Sequence, residues 1–316
     1  MYTKSDLKQF KRRGIKPEQI ENQLENFKQG FDFVQIQDAA TINNGIYGLN
    51  EADEFIRIFE ERMNSLKIVK MVPASGSVSR MFKTLNTFFN TYTGSDEDYL
   101  KFRQDKEPGS IFSFFEKLKE FPFYPHLKEA LYKDRLDLDK LLWKNQLIEI
   151  LEYILTPKGL NYNATPKGLI DFHIYRDHIR TAVEEHLVEA ALYANDGKEA
   201  HIHFTVSEEH IGKFKALLKS VLKNYQKEFN LKYDITYSVQ SPATDTVSLD
   251  TEGNLVRDNE GNIVFRPGGH GALIHNLNDL KEDLIFIKNI DNVAPDRSKA
   301  DTVKYKKILA GVLLKT

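Results

Sequence analysis

Apolar positions along the chain follow two spacings, and their succession gives an α/β pattern. Phe55, Ile58, Phe59 and Met63 recur at three and four residues, the period of an amphipathic helix that opens at Asn50-Glu51-Ala52. Ile68-Val69-Lys70-Met71-Val72 is instead a short apolar run, the mark of a buried strand. Pro73-Ala74-Ser75-Gly76-Ser77 ends that run, and Arg80-Met81-Phe82-Lys83-Thr84-Leu85 continues as a helix. Between 95 and 155 the helical period returns twice, in Ile111, Phe114, Phe115, Leu118 and in Leu147, Ile148, Leu151, Ile154. A helix around Ile179, Val183, Leu187 and Ala191 precedes the strand His201-Ile202-His203-Phe204-Thr205-Val206. Ser207 caps a further helix whose buried face is Ile211, Phe214, Leu218, Leu222 and Tyr225, and 234–240 is again a strand. Strand, helix, strand at this spacing predicts a βαβ unit and a parallel sheet.

The remaining punctuation is local. Two Glu-Gly-Asn turns at 252–254 and 260–262 predict a hairpin ahead of Ile263-Val264-Phe265. Arg266-Pro267-Gly268-Gly269-His270-Gly271 reads as a loop, followed by a helix through Leu273, Leu277 and Leu280. The last strand runs from 284 to 290 and ends at Asp291-Asn292. Ser5-Asp6-Leu7 and Lys16-Pro17-Glu18 mark helix starts near the N-terminus, so 1–66 reads as a mostly helical region and 67–316 as the α/β domain, with a helical insertion at 95–155. The segment from Tyr305 to Thr316 reads as an apolar helix cut short, with more protein expected beyond it.

Composition narrows the partners. A net charge of −2 on 316 residues offers no basic field for nucleic acid or an anionic membrane surface. The absence of cysteine removes disulfides, thiolate metal sites and cysteine nucleophiles. The polar, Lys/Arg-rich start has no apolar signal region, and no apolar run approaches the ~20 residues that span a bilayer. The expectation is a cytoplasmic protein.

Four features fall at carboxyl ends of strands, where open α/β sheets bind ligands. They are the turn 73–80, Gln240, the loop 267–271 and Asp291. A turn entering a helix presents free N–H groups and a positive dipole end to phosphate. Glycine lets backbone approach a base closely. A strand-end carboxylate suits Mg²⁺, which takes oxygen ligands and is often shared with substrate phosphates.

Ala74-Ser75-Gly76-Ser77-Val78-Ser79-Arg80-Met81 resembles the nucleotidyltransferase loop Ala-Gly-Gly-x-Gly-Thr-Arg-Leu. Pro166-Lys167-Gly168-Leu169-Ile170-Asp171-Phe172 is similar to the Pro-Lys-Gly segment of UDP-N-acetylhexosamine pyrophosphorylases. Gln240 with Pro242, the run from Pro267 to Leu273, and Ile290-Asp291-Asn292-Val293 resemble that family's glutamine, its Pro-x-Gly-Asn-Gly loop and its Val-Asp-Asn motif, in the family's order. The resemblance, over about 60–300, is to the UDP-sugar pyrophosphorylase superfamily of nucleotidyltransferases. It implies a Rossmann-like, mainly parallel α/β sheet and a reaction that joins a sugar 1-phosphate to a nucleoside triphosphate such as UTP. It implies that the backbone of Ala74, Ser75, Gly76 and Ser77 contacts the base, with Gln240, Gly268 and Gly269. Arg80 and Lys167 then act on the phosphates, Asp291 binds Mg²⁺, and His270 stands where the family has a sugar-contacting Asn.

Several residues depart from the family pattern or read otherwise. Ser75 and Val78 replace glycines of the signature loop, and no second metal-binding Asp follows Asp291 at a matching position. Lys158 lies in Thr156-Pro157-Lys158-Gly159-Leu160, a copy of the pentapeptide around Lys167, which is preferred because Ile170-Asp171-Phe172 continues the family pattern. The altered loop leaves open a non-catalytic protein of the same fold that binds a nucleotide or sugar phosphate. His201 and His203 share one face of a strand, which raises a metal-dependent phosphohydrolase as a third reading, although sheet packing accounts for both.

Overall fold

The computed structural model describes residues 2–49, 51–75 and 81–316. Two helices open the chain, α1 (Lys4–Arg13) and α2 (Pro17–Gln29). Thr3 caps α1 in a reciprocal box with Asp6, and Pro17 starts α2. Residues 31–49 are not helical, contrary to expectation for much of this stretch. They carry only a two-residue parallel pair, β1 (Thr41–Ile42) with β2 (Gly45–Ile46). Helix α3 (Ala52–Arg62) follows, then the fully buried β3 (Ile68–Pro73).

A helical lobe comes next: α4 (Lys83–Thr91), α5 (Asp96–Gln104), α6 (Ile111–Glu116), α7 (Tyr124–Lys133), α8 (Leu138–Trp143) and α9 (Leu147–Leu155). It has its own core, reaching from Phe82 to Ile170 and centred on Leu118, Leu127, Ile150 and Ile154, so the helical unit is longer than 95–155. It adds no strand to the main sheet. A hairpin of β4 (Asp171–Ile174) and β5 (Ile179–Thr181) leads into α10 (Ala182–Tyr193). Residues 179–181, read from sequence as helix, are strand. The helix starts one residue later, where Thr181 and Glu184 form a capping box.

Strand β6 (Glu199–Thr205), helix α11 (Ile211–Phe229) and strand β7 (Lys232–Ser238) form the expected βαβ unit, in parallel register from Glu199↔Lys232 to Thr205↔Ser238. The chain then makes β8 (Thr246–Val247), β9 (Phe265–Arg266), α12 (Ile274–Asp279), β10 (Leu284–Ile287) and α13 (Asp296–Lys315). The main sheet is β10-β3-β6-β7, and every neighbouring pair is parallel. Ile68, Val72, Ala200, Ile202, Phe204 and Phe286 bury one sheet face against α3, α10, α11 and α13. Among the described residues, no helix is long and apolar enough to cross a membrane.

Residues 246–266 are more regular than a hairpin. The amides of Val256, Val264 and Ser248 donate in turn to the carbonyls of Ser248, Val256 and Val264, each at 2.9 Å. Three segments spaced by eight residues thus close a ring. Two of its turns are tied by Asp250 and Asp258, whose carboxylates accept amide bonds from Glu252 and Asn254, and from Glu260 and Asn262. Val247, Leu255 and Ile263, one from each segment, join Phe10, Ile15 and Ile20 in a separate small core. Arg257 clamps Asp6 through its two terminal nitrogens, Nη1 and Nη2, and Gln9 exchanges two bonds with the backbone of Ile263. The first two helices are therefore the support of this ring.

Candidate functional site

Because all four strands are parallel, their carboxyl ends share one edge. Beyond the strands the ladder continues there: Ala74 N donates to Thr205 O (2.8 Å), Val206 N to Ser238 O (3.0 Å) and Ile290 N to Pro73 O (3.2 Å). Taken in chain order, the strands lie fourth, first, second, third. The winding thus reverses between β3 and β10, which is where open α/β sheets leave a crevice for ligands.

Lys167 and Asp291 meet at this reversal. Pro166 starts a single 3-10 turn, Lys167–Leu169, that lies over the end of β10. Gly168 makes the approach possible: a Cβ there would come within 2.9 Å of the Phe214 ring and 3.1 Å of the Ile290 side chain. The Lys167 ammonium then forms an ion pair with the Asp291 carboxylate, and both side chains keep about a third of their surface open (27% and 32%). A recess of ≈ 360 Å³ opens beside this turn, lined by Asn163, Thr165, Pro166, Glu209, His210 and Lys213. A larger groove of ≈ 610 Å³ lies among α3, α10 and α13 and includes none of the expected site residues.

The twin pentapeptides part company here. Lys158 caps nothing at the sheet edge; it pairs with Glu152 at 2.9 Å and lies over the Tyr153 ring on the helical lobe.

A second pair sits after β7. Gln240 Nε2 donates to the Gly268 carbonyl at 3.1 Å. Gly268 has no room for a side chain, since a Cβ would lie 2.7 Å from the Thr244 carbonyl oxygen. Gly269 caps the 3-10 turn His270–Leu273, and the His270 side chain lies outside the described part of the structure. The loop 266–269 occupies the third turn position of the eight-residue ring, so the ring and the N-terminal helices hold it. Three strand spacings, about 14 Å, separate β7 from β10. The Gln240–Gly268 pair and the Lys167–Asp291 pair thus flank one edge without touching.

Ala74 is buried and Ser75 half-buried at the end of β3, between the two pairs. Gly76, Ser77 and Arg80, the rest of the expected phosphate loop, lie outside the described residues. Asp291 offers the chemistry Mg²⁺ prefers, a part-exposed carboxylate at a strand end, and a Mg²⁺ that draws on substrate phosphates needs few protein ligands. Among the described residues no group of three or more His, Asp or Glu is arranged to hold a metal alone. His201 and His203 lie on the sheet face opposite the main core. His201 faces Asp234 at 3.3 Å, and His203 is hydrogen-bonded to Thr236 and Ser238, both at 2.8 Å.

The sequence reading passed over a charged layer beneath the edge. Glu189 on α10, fully buried, accepts from Lys70 of β3 (2.8 Å), Lys288 at the end of β10 (2.7 Å) and Tyr193 (2.9 Å). Glu185, one turn earlier and also fully buried, holds Lys299 at 2.6 Å and the Tyr175 hydroxyl at 2.6 Å. Arg180 Nη1 donates to both carboxylate oxygens of Asp296, at 2.8 and 2.9 Å. His186 Nε2 donates to the Ile290 carbonyl at 3.1 Å. Burial pushes Lys70 down to about 7 and, with the Lys70 charge, keeps His186 neutral. Burial also opposes charge on Glu189, but Lys70 and Lys288 outweigh it and hold that carboxyl well below the usual range. The available signal was Glu185 and Glu189 four residues apart on one face of a helix that is otherwise mostly apolar beyond its first turn.

No curated protein and no solved structure matches the chain. A family model does match, over residues 3–316, and its description is a domain of unknown function. The chain belongs to that family, DUF4301.

Proposed function

We propose that this chain is a nucleotidyltransferase-like protein with a Rossmann-like sheet, which joins a sugar 1-phosphate to a nucleoside triphosphate and releases pyrophosphate. One observation carries the reading: Lys167 and Asp291, far apart in sequence, are paired at the winding reversal of a parallel sheet, with Ala74 and Ser75 beside them and Gln240–Gly268 along the same edge. In the reaction a sugar-phosphate oxygen bonds to the α-phosphorus of the nucleotide, and the bond to the pyrophosphate oxygen breaks. The departing pyrophosphate carries away that electron pair. Nothing covalent forms on the protein, so the chain's contribution is placement and electrostatics.

Gln240 and the backbone at Gly268 and Gly269 would hold the base. Lys167, with Arg80 from the loop after Ser75, would face the phosphates and offset their charge. Asp291 would hold Mg²⁺, which when bound supplies neutralisation of the phosphate oxygens. Lys167 must then turn from Asp291 toward the substrate, a change open to a flexible side chain that is not fully buried. The recess beside Pro166 gives room for a ligand at this turn.

The Lys167–Asp291 pair also favours a second reading. A carboxylate already neutralised by an ammonium group suits a protein that binds a nucleotide or sugar phosphate without turning it over. Pyrophosphate release, measured over a panel of nucleoside triphosphates and sugar 1-phosphates with Mg²⁺, separates the two. The expected result is turnover by the wild type that falls by about 10²-fold or more in Lys167→Ala and Asp291→Asn, with Lys158→Ala unchanged. Nucleotide binding without pyrophosphate release would establish the binding protein instead.

A further inference from the structure

The charged face of α10 stands behind the strand end that carries Asp291. Two of its side chains reach that strand end directly. Glu189 Oε1 accepts from Lys288, three residues before Asp291, and His186 Nε2 donates to the carbonyl of Ile290, the residue just before it. The second oxygen of Glu189 takes Lys70, which fixes the same helix to β3. The Ile290 side chain in turn bears on Gly168, next to Lys167. One helix is thus bonded to both strands that flank the winding reversal.

Stability alone does not account for this arrangement. Apolar side chains of similar size often serve a buried position as well as an ion pair or better. Charge pairs are directional where apolar contacts are not, so they fix the place of a strand end as well as its burial. The His186 bond has the same character. Its ring is neutral, so a single N–H is available, and that N–H goes to Ile290 while Nδ1 has no hydrogen-bond partner among the described residues.

We propose that Glu189 and His186 are positioning residues, which set the strand end 288–291 and through it the Asp291 carboxylate opposite Lys167. This rests on the assignment of Asp291 to the site. Neither residue touches substrate; both act through the backbone that carries Asp291.

Amide hydrogen exchange and nucleotide binding test this together, on four full-length chains: wild type, Lys288→Met, His186→Phe and His186→Gln. Lys288→Met releases the strand end but leaves the Lys70–Glu189 pair in place. His186→Phe keeps the ring volume and loses the donor, whereas His186→Gln keeps an N–H. The first two variants should exchange residues 288–293 roughly tenfold faster, with β3 and β6 at the wild-type rate. They should also bind UTP with Mg²⁺ about tenfold more weakly, while binding without Mg²⁺ stays unchanged. His186→Gln should stay within about twofold of wild type on both measures. Wild-type exchange at 288–293 in both loosened variants would overturn the proposal, as would an equal rise throughout β3 and β6, the mark of a general loss of stability. A wild type that binds no nucleotide would remove the function proposed above, and the exchange rates would still decide whether α10 sets this strand end.

Discussion

At the scale of single residues, identical local sequence has been put to different uses. Thr-Pro-Lys-Gly-Leu occurs twice, and both copies turn the chain after Thr-Pro. What separates them is what lies opposite. Gly159 is pressed against the backbone of Tyr153 within the lobe, and Gly168 against Phe214 and Ile290 across the sheet. Sequence can show that each glycine permits a close approach, but the partner is set by tertiary packing. Only the continuation Ile170-Asp171-Phe172 distinguished Lys167 beforehand. Gly268 is more constrained than Gly168, because its neighbour at 2.7 Å is a backbone oxygen that cannot swing aside. Gly268→Ala should therefore cost about 1–3 kcal/mol in urea denaturation and remove the Gln240 contact. An alanine variant as stable as wild type would mean that Thr244 and the loop relax freely.

At the scale of elements, legibility followed burial and length. Strands β3 and β10 were readable as apolar runs and β6 and β7 as alternating apolar and polar residues, all bounded by turn signals, and α11 because its period holds along the helix. The β4–β5 hairpin was not, since its three and four residues are broken by His173 and Arg180, side chains that serve the charged layer rather than a core. Helix α10 was found, but its role was not. A helix buried on nearly all sides has little polar face for a periodicity argument to use, and its glutamates pair with lysines 99 to 119 residues away. Removing one member of such a group leaves the others buried and uncompensated. Glu189→Gln strands two ammonium groups and should destabilise the chain by about 3–5 kcal/mol. A change of less than about 1 kcal/mol in a urea titration would show that water reaches Lys70 and Lys288 after all.

At the scale of the whole molecule, the N-terminal helices and the eight-residue ring form one small core from segments some 230 residues apart, a docking that no local pattern announces. The clamp between Asp6 and Arg257 is its polar tie. Bonds from Arg257 and Thr3 hold the Asp6 carboxyl well below its ordinary value. The unfolded chain takes up this proton near about 3.9, and the folded chain only at lower pH. The clamp's contribution is therefore complete above that value and is lost as pH falls through the folded one. Proteolysis of residues 2–29 should accelerate in that acid range, and Asp6→Asn should show the faster cleavage already at pH 7. Cleavage of the variant at the wild-type rate at pH 7 would assign the docking to Phe10, Ile15 and Ile20 alone. The ring itself carries a rule about chain length. Each of its three segments passes its amide bond to the next at a step of eight residues, and Val247, Leu255 and Ile263 meet because that step is kept. An insertion within a segment turns the side chains after it away from their shared centre. The same insertion at the exposed tips near Glu252 or Glu260 only lengthens a turn. Length variation is therefore open at two of the three turns, and closed at the one that carries Gly268.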